Sequence, residues 1–341
     1  MGLLELSPGE NITAVNKINN GQCIANDDYK HTVYAVVYSI VFVIGLVSNS
    51  IALFVFCHLA KRKRMSSVFL MNLAAADLIF IFSLPFRLLN HLEVRGWPFT
   101  ETACRFSTYM FYMSMYCSIF FLTGLSVCRY LVMARYVRFQ NDFSHKWALT
   151  ICFAMWIFIG VGVAISLFFV TSFHAEVTRC FEPSSLAAWR RLYYMNFYAL
   201  VFGFTIPFLT VLICYMLMIK HIVQTKKKKI GRDVAMICLV LTVFCICFLP
   251  YHVQRTIHLH FKVHHQSECD LQEVLQKTVV VTLCLAVVNS CLDPLLFVFV
   301  GKGFKTLLKN LFKRCNISCA SATDFSSSSA SSRNADIEMC Q

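Results

Sequence analysis

The chain has 341 residues, of which 57% are hydrophobic and only 14% charged. A water-soluble domain carries about 25% charged residues, so a soluble globular protein is excluded. The net charge of +13 gathers in short stretches between apolar runs, which reads as loops facing anionic lipid and not as nucleic-acid binding.

In chain order the apolar runs cover residues 32–57, 66–76 continued by 78–86, 106–128, 147–173, 192–219, 234–251, and 278–292 continued by 294–300. Each approaches the roughly 20 residues that cross a bilayer as a helix. A β-barrel would show short alternating segments instead, and none is visible. The expected fold class is an all-α membrane protein, a seven-transmembrane helix bundle over residues 31–300. Residues 1–30 form an N-terminus without the apolar core of a signal peptide, so the first span is expected to direct insertion. One set of connections is basic: Lys61–Arg64, then Arg135, Arg138 and Lys146, then Lys226–Lys229 with Arg232, then Lys302, Lys305, Lys309, Lys313 and Arg314. The opposite set mixes signs, with Glu5, Glu10, Asp27, Asp28, Lys17 and Lys30 before the first span. The last loop of that set holds Lys262, Glu268, Asp270, Glu273 and Lys277. Basic loops stay in the cytoplasm, which puts the N-terminus outside and the C-terminus inside, in a plasma-membrane orientation.

After the seventh run, Phe304, Leu307, Leu308, Leu311 and Phe312 share one helical face opposite Lys305, Lys309 and Lys313. That predicts a short amphipathic eighth helix over 301–315, lying on the membrane surface. Cys315 and Cys319 are candidates for palmitoylation there, with plain cytosolic thiols as the alternative. Residues 316–341 read as a disordered cytoplasmic tail. Its Ser326–Ser329 and Ser331–Ser332 are candidate sites for receptor kinases and arrestin recruitment, or parts of a passive linker. Asn11-Ile12-Thr13 is a glycosylation acceptor on the outer side, while Asn316-Ile317-Ser318 lies inside and should stay bare.

Most of the 17 cysteines lie inside apolar runs, where cysteine behaves as a small hydrophobe. No CxxC pair with zinc spacing occurs. Cys23, Cys104, Cys180 and Cys269 lie at or beyond the outer face, where oxidation is possible, and the sequence leaves their three pairings open. Tyr251, Arg255 and His258 follow i, i+4, i+7 spacing and share a helical face. Arg87, just past Pro85, is a second arginine near the outer end of its span. Tyr109, Tyr112 and Tyr116 form a stripe in the third span, with Thr108 beside it; alone, such a stripe is usually packing.

Several motifs occur in order: Asn49, the LAAAD run Leu73–Asp77, Cys128-Arg129-Tyr130, Trp156, a reduced Phe-x-x-x-Leu-Pro block at 245–250, and Asn289 followed by Asp293-Pro294. With them, the chain from about residue 30 to 315 resembles the rhodopsin-like G-protein-coupled receptors. Within that family, LPFR at 84–87, STYMFYMSMYCSIFFLTGLS at 107–126, TRCFEP at 178–183, LPYHVQRTIHLHF at 249–261 and LDPLL at 292–296 resemble the cysteinyl leukotriene receptors. Those belong to a purinergic-like branch.

The resemblance implies disulfides Cys104–Cys180 and Cys23–Cys269. It also implies an outer pocket made by Arg87, Thr108, Tyr109, Tyr112, Tyr116, Tyr251, Arg255, His258 and Thr282. Arginine suits bidentate capture of carboxylate or phosphate, so the implied ligand is an anionic lipid mediator, a cysteinyl leukotriene. For one arginine alone, snorkelling to the headgroups or pairing with a loop acid such as Glu182 is an equal alternative; two together favour ligand capture. Receptors for nucleotides, dicarboxylates or lysophospholipids are the alternatives within the class. The resemblance further implies that Arg129, Tyr130 and Tyr215 serve the heterotrimeric G protein, with Gq-type calcium mobilisation. Asp77, Ser118, Asn289 and Asp293 are implied to flank a sodium ion that Asp77 would hold, a shared proton being the alternative. Cys128 stands where the family's usual acid precedes Arg129, and Ile230 replaces a restraining partner on the sixth span, so easier basal signalling is expected. Pro207, Pro250 and Pro294 are expected hinges.

An enzyme is not expected: no nucleophile–base pair, P-loop or metal-ligand spacing occurs in any loop. A membrane transporter is the rival of another class, but it would place charges at mid-membrane in both halves. Residues 278–300 contain no lysine for a retinal Schiff base, which excludes a light receptor.

Overall fold

The computed structural model describes residues 18–19, 22–23, 28–59, 65–92, 99–134, 142–171, 180, 185–225, 231–265 and 268–300. Seven helices are long and apolar enough to cross a membrane: Tyr29–Cys57, Met65–Asn90, Glu101–Met133, His145–Phe169, Leu186–Gln224, Val234–His264 and Cys269–Phe297. They are numbered below as the first to seventh spans. A two-residue antiparallel pair, Ile18–Asn19 against Gln22–Cys23, precedes them. The eighth helix, the tail, Asn11, Ile230, Cys315, Cys319 and the tail serines lie outside the described residues.

The third span is the axis of the bundle, with 78% of its apolar window buried, against 22% for the fourth. It packs on the second, fourth and fifth spans, and the seventh closes the ring against the first and sixth. Buried polar groups pin the neighbours together. Asn49 Nδ2 donates to the Ser290 carbonyl at 2.8 Å, joining the first and seventh spans. Trp156 Nε1 donates to Asn72 Oδ1 at 2.9 Å, joining the fourth and second. Between the second and third spans, a Cβ on Gly124 would lie 2.4 Å from Phe69 Cε1, so any larger residue there must displace the Phe69 ring.

The helices run past the predicted apolar runs. The sixth was expected to end at 251 and ends at His264; the seventh was expected from 278 and starts at Cys269. The first helix spans Asp28–Phe54, so the expected 30/31 boundary falls inside its first turn. Hydropathy marks where lipid touches the chain, whereas a helix stops only at a breaker or an unsatisfied end. None stands between 252 and 264.

Two of the expected hinge prolines follow wider, π-helical turns. Ala199–Thr205 precedes Pro207, and Val243–Phe248 precedes Pro250. There the amides of Ile206 and Leu249 reach back five residues, to the carbonyls of Val201 and Phe244. A proline ring clashes with the carbonyl four residues before it. One extra residue in the turn before it re-aims those carbonyls without breaking the helix. Pro85 and Pro294 sit inside continuous helices.

Candidate functional site

The outer half of the bundle brings two arginines to one tyrosine. Arg255 Nη1 donates to the Tyr112 hydroxyl at 2.9 Å and to the Tyr251 hydroxyl at 2.6 Å. Its guanidinium carbon lies 5.2 Å from the Tyr112 ring centroid, and that of Arg87 lies 5.7 Å from the same ring. Arg87 is buried, its guanidinium carbon 3.6 Å from the Phe111 ring centroid, a close cation–π contact. The second, third and sixth spans thus each contribute one part. Among the described residues, no carboxylate reaches Arg255, and its Nε and Nη2 carry no hydrogen bond. That edge is the fork that matches a carboxylate or phosphate.

Not every expected residue faces this point. The Tyr109 hydroxyl lies against Gly160 of the fourth span, 2.9 Å from where a Cβ there would sit. Tyr116 lies deeper, edge-on to His252 at 5.9 Å and pressed on Gly203 of the fifth span. The three tyrosines share one helical face, yet their side chains meet three neighbouring spans, the fourth, fifth and sixth. Thr108 donates its hydroxyl to the Cys104 carbonyl at 2.9 Å, and Thr282 donates within its own helix to Thr278 at 3.0 Å. With their protons used, both hydroxyls can only accept from a ligand. His258 is edge-on to Trp189 at 6.4 Å, and its buried Nδ1 has no hydrogen-bond partner among the described residues. Phe111 and Trp189 escaped the sequence analysis. The His252 ring stacks on Phe204 at 4.4 Å, with Nδ1 on the Phe248 carbonyl at 2.9 Å.

Cys104 and Cys180 form a disulfide with Cα atoms 5.7 Å apart, which selects one of the open pairings. Cys269 is also disulfide-bonded; the side chain of its expected partner, Cys23, lies outside the described residues.

Midway down, Asp77 and Asp293 are buried and their carboxyls interact. The Ser118 hydroxyl reaches Asp77 Oδ1 at 3.2 Å and the Ser114 carbonyl at 3.1 Å. Asn289 Nδ2 donates to Asp293 Oδ2 at 3.0 Å. Asp77 Oδ2, Asp293 Oδ1 and Asn289 Oδ1 are buried without hydrogen-bond partners among the described residues. Orphaned oxygens of this kind suit a hard cation, which takes oxygen ligands. At the opposite end, Ser126 and the buried Tyr215 share a hydrogen bond of 2.7 Å, joining the third and fifth spans three residues before Arg129. Cys128 turns to the second span, its sulfur 3.5 Å from Ser66 Oγ.

The sequence model described as "7 transmembrane receptor (rhodopsin family)" matches residues 48–297. The chain belongs to that family. It is a membrane-spanning receptor and not an enzyme. Cysteinyl leukotriene receptor 1 of Sus scrofa is 36% identical over 294 residues, 84% of this chain and 86% of that protein. Cysteinyl leukotriene receptor 2 of Sus scrofa is 36% identical over 321 residues, covering 92% and 90%. Lysophosphatidic acid receptor 6 of Homo sapiens is 30% identical over 302 residues, covering 86% and 87%. The matched span includes Arg87, Tyr112 and Arg255, so the residues of the outer site lie inside the region shared with the receptor family.

Proposed function

We propose that this receptor recognises an anionic lipid mediator of the cysteinyl leukotriene type in the outer half of its bundle. The observation that carries the reading is the pair of guanidiniums around the Tyr112 ring, with the Arg255 fork open. Two cations facing one ring repel each other until an anion lies between them, and arginine stays ionised throughout. Arg87 and Arg255 take the ligand's carboxylates, His258 offers its unpartnered Nδ1, and Thr108 and Thr282 accept from ligand donors. Tyr112, Tyr116 and Tyr251 supply an apolar wall for the fatty chain. The occupied receptor signals through a heterotrimeric G protein of the Gq class, engaged by Arg129, Tyr130 and Tyr215. The N-terminus is extracellular and glycosylated at Asn11. Cys23 bridges to Cys269. The tail is palmitoylated at Cys315 or Cys319, and phosphorylation of its serines by receptor kinases recruits arrestin. A sodium ion at Asp77, with Ser118, Asn289 and Asp293, would balance the buried negative charge and hold the inactive packing.

A lysophospholipid is the second reading, supported by the 30% identity to lysophosphatidic acid receptor 6, since a phosphate also fits two guanidiniums. Calcium responses of transfected cells to cysteinyl leukotrienes, nucleotides, oxoglutarate and lysophosphatidate test the proposal. A response to leukotrienes supports it. A response to lysophosphatidate alone moves the assignment to the second reading, and a response to nucleotides alone refutes both.

A further inference from the structure

The outer turn of the sixth span holds a group of histidines that the anion site does not use. His260 and His264 are four residues apart on one helical face, both exposed, with near-parallel rings 4.6 Å apart. Histidines at i and i+4 on a helix present two imidazoles to one metal ion. Their remaining nitrogens are already placed for that role. His264 Nδ1 lies 3.1 Å from the His260 carbonyl; a carbonyl can only accept, so Nδ1 carries the proton and Nε2 bears the lone pair. His260 Nδ1 lies 3.1 Å from the Tyr193 hydroxyl on the fifth span; a hydroxyl can accept or donate, and in the tautomer that binds metal through Nε2 it accepts the Nδ1 proton. An imidazole that donates its second nitrogen in this way is fixed in orientation and made more basic toward a metal.

We propose that His260 and His264 form an extracellular two-histidine site for a transition-metal cation of the zinc class, bound through both Nε2 atoms. Imidazole suits zinc, copper and nickel. Zinc requires each Nε2 at roughly 2.0–2.1 Å from the metal, which the two stacked rings would reach by tilting about χ2, a soft torsion in histidine. Among the described residues no three His, Cys, Asp or Glu side chains gather into one metal-holding group, so water completes the shell. The surrounding charges permit a cation. Lys262, the nearest one on the same helix, turns away to Gln272 Oε1 at 3.5 Å and over the Trp189 ring at 5.7 Å. Glu268 sits by His265, 3.7 Å from its Nδ1, and His265 lies 5.9 Å from His260. Because His260 also holds Tyr193, the bound metal ties the outer ends of the fifth and sixth spans together.

The test is zinc binding by the purified full-length receptor, read by competition with a chromogenic zinc indicator. His260→Ala and His264→Ala are compared with wild type, along with Tyr193→Phe. Both histidines are exposed, and melting midpoints in chelator confirm that each variant is folded. The expected result is one zinc site weakened at least tenfold by either alanine, with a smaller loss in Tyr193→Phe. Zinc should raise the melting midpoint of wild type and not of either alanine variant. Equal zinc affinity in wild type and both alanine variants places the metal elsewhere on the receptor and overturns the proposal. The absence of any zinc binding by the wild-type receptor overturns it as well.

Discussion

Replacing Arg255 separates recognition of charge from recognition of shape. Nη1 is committed to Tyr112 and Tyr251 at 2.9 and 2.6 Å, while the Nε–Nη2 edge is left for the ligand. Truncating one partner of a hydrogen-bonded charge pair costs about 2–5 kcal/mol when the pair is desolvated. Arg255 is half-buried, so the lower part of that range applies, about 2–3 kcal/mol. At about 1.4 kcal/mol per tenfold, Arg255→Ala should weaken an anionic agonist roughly 30- to 150-fold. A neutral amide of the same agonist forfeits only an ordinary hydrogen bond, about 1 kcal/mol or roughly fivefold. Arg255→Lys should fall between, keeping the charge and losing the planar fork. The assay is agonist potency in a calcium response at matched surface expression. Equal losses for the anionic and neutral compounds would refute the reasoning, because the arginine would then be supporting the fold and not meeting a charge.

Gly124→Ala should lower the melting midpoint of the purified receptor, since its new Cβ meets Phe69 Cε1 at 2.4 Å and overpacking costs about 1–3 kcal/mol; Phe69→Leu should restore part of the loss. Tyr215→Phe should cost about 1 kcal/mol in the same melt, because Ser126 keeps its second bond to the Leu122 carbonyl at 2.8 Å. Cys128→Asp puts a carboxylate next to Arg129 in the chain at a buried position, where it needs a cation; ligand-free signalling should drop, and unchanged basal signalling at equal surface expression counts against the reading. Asp77→Asn should remove any dependence of agonist affinity on sodium, measured by replacing sodium with an organic cation; a retained sodium effect places the ion elsewhere.

The seven spans were legible because a bilayer imposes a length and a composition on every crossing segment. Their outer ends were not, since residues such as His260 and Glu273 are helical without being apolar. On the sixth span, i, i+4, i+7 spacing sufficed to place Tyr251 and Arg255 on one face. What each side chain meets across the bundle is fixed by interhelical packing, which carries no local signal. Phe111 beneath Arg87 and Trp189 beside His258 escaped for that reason, and the same packing turned Tyr109 toward Gly160. Two of the three expected hinge prolines, Pro207 and Pro250, follow irregular turns, whereas Pro294 lies inside a continuous helix. The π turns ahead of Pro207 and Pro250 depend on which carbonyl each amide chooses, and that choice is made only when the helices pack.

These two irregular turns meet. Phe204 lies in the first and Phe244 in the second, with ring centroids 6.4 Å apart, and Phe208 extends the stack to Phe244 at 5.9 Å. His252 caps the stack on Phe204, one position beyond Tyr251, which holds Arg255. A ligand that draws Arg255 toward Arg87 therefore pulls on the sixth span directly above its widened turn, Val243–Phe248. That turn joins two regular helices, Gly231–Thr242 and Leu249–His264. The third span, regular from Glu101 to Met133, has no comparable turn. Displacement at the outer site would be absorbed where helix geometry already departs from its most stable form, which places the bend at the paired widened turns of the fifth and sixth spans.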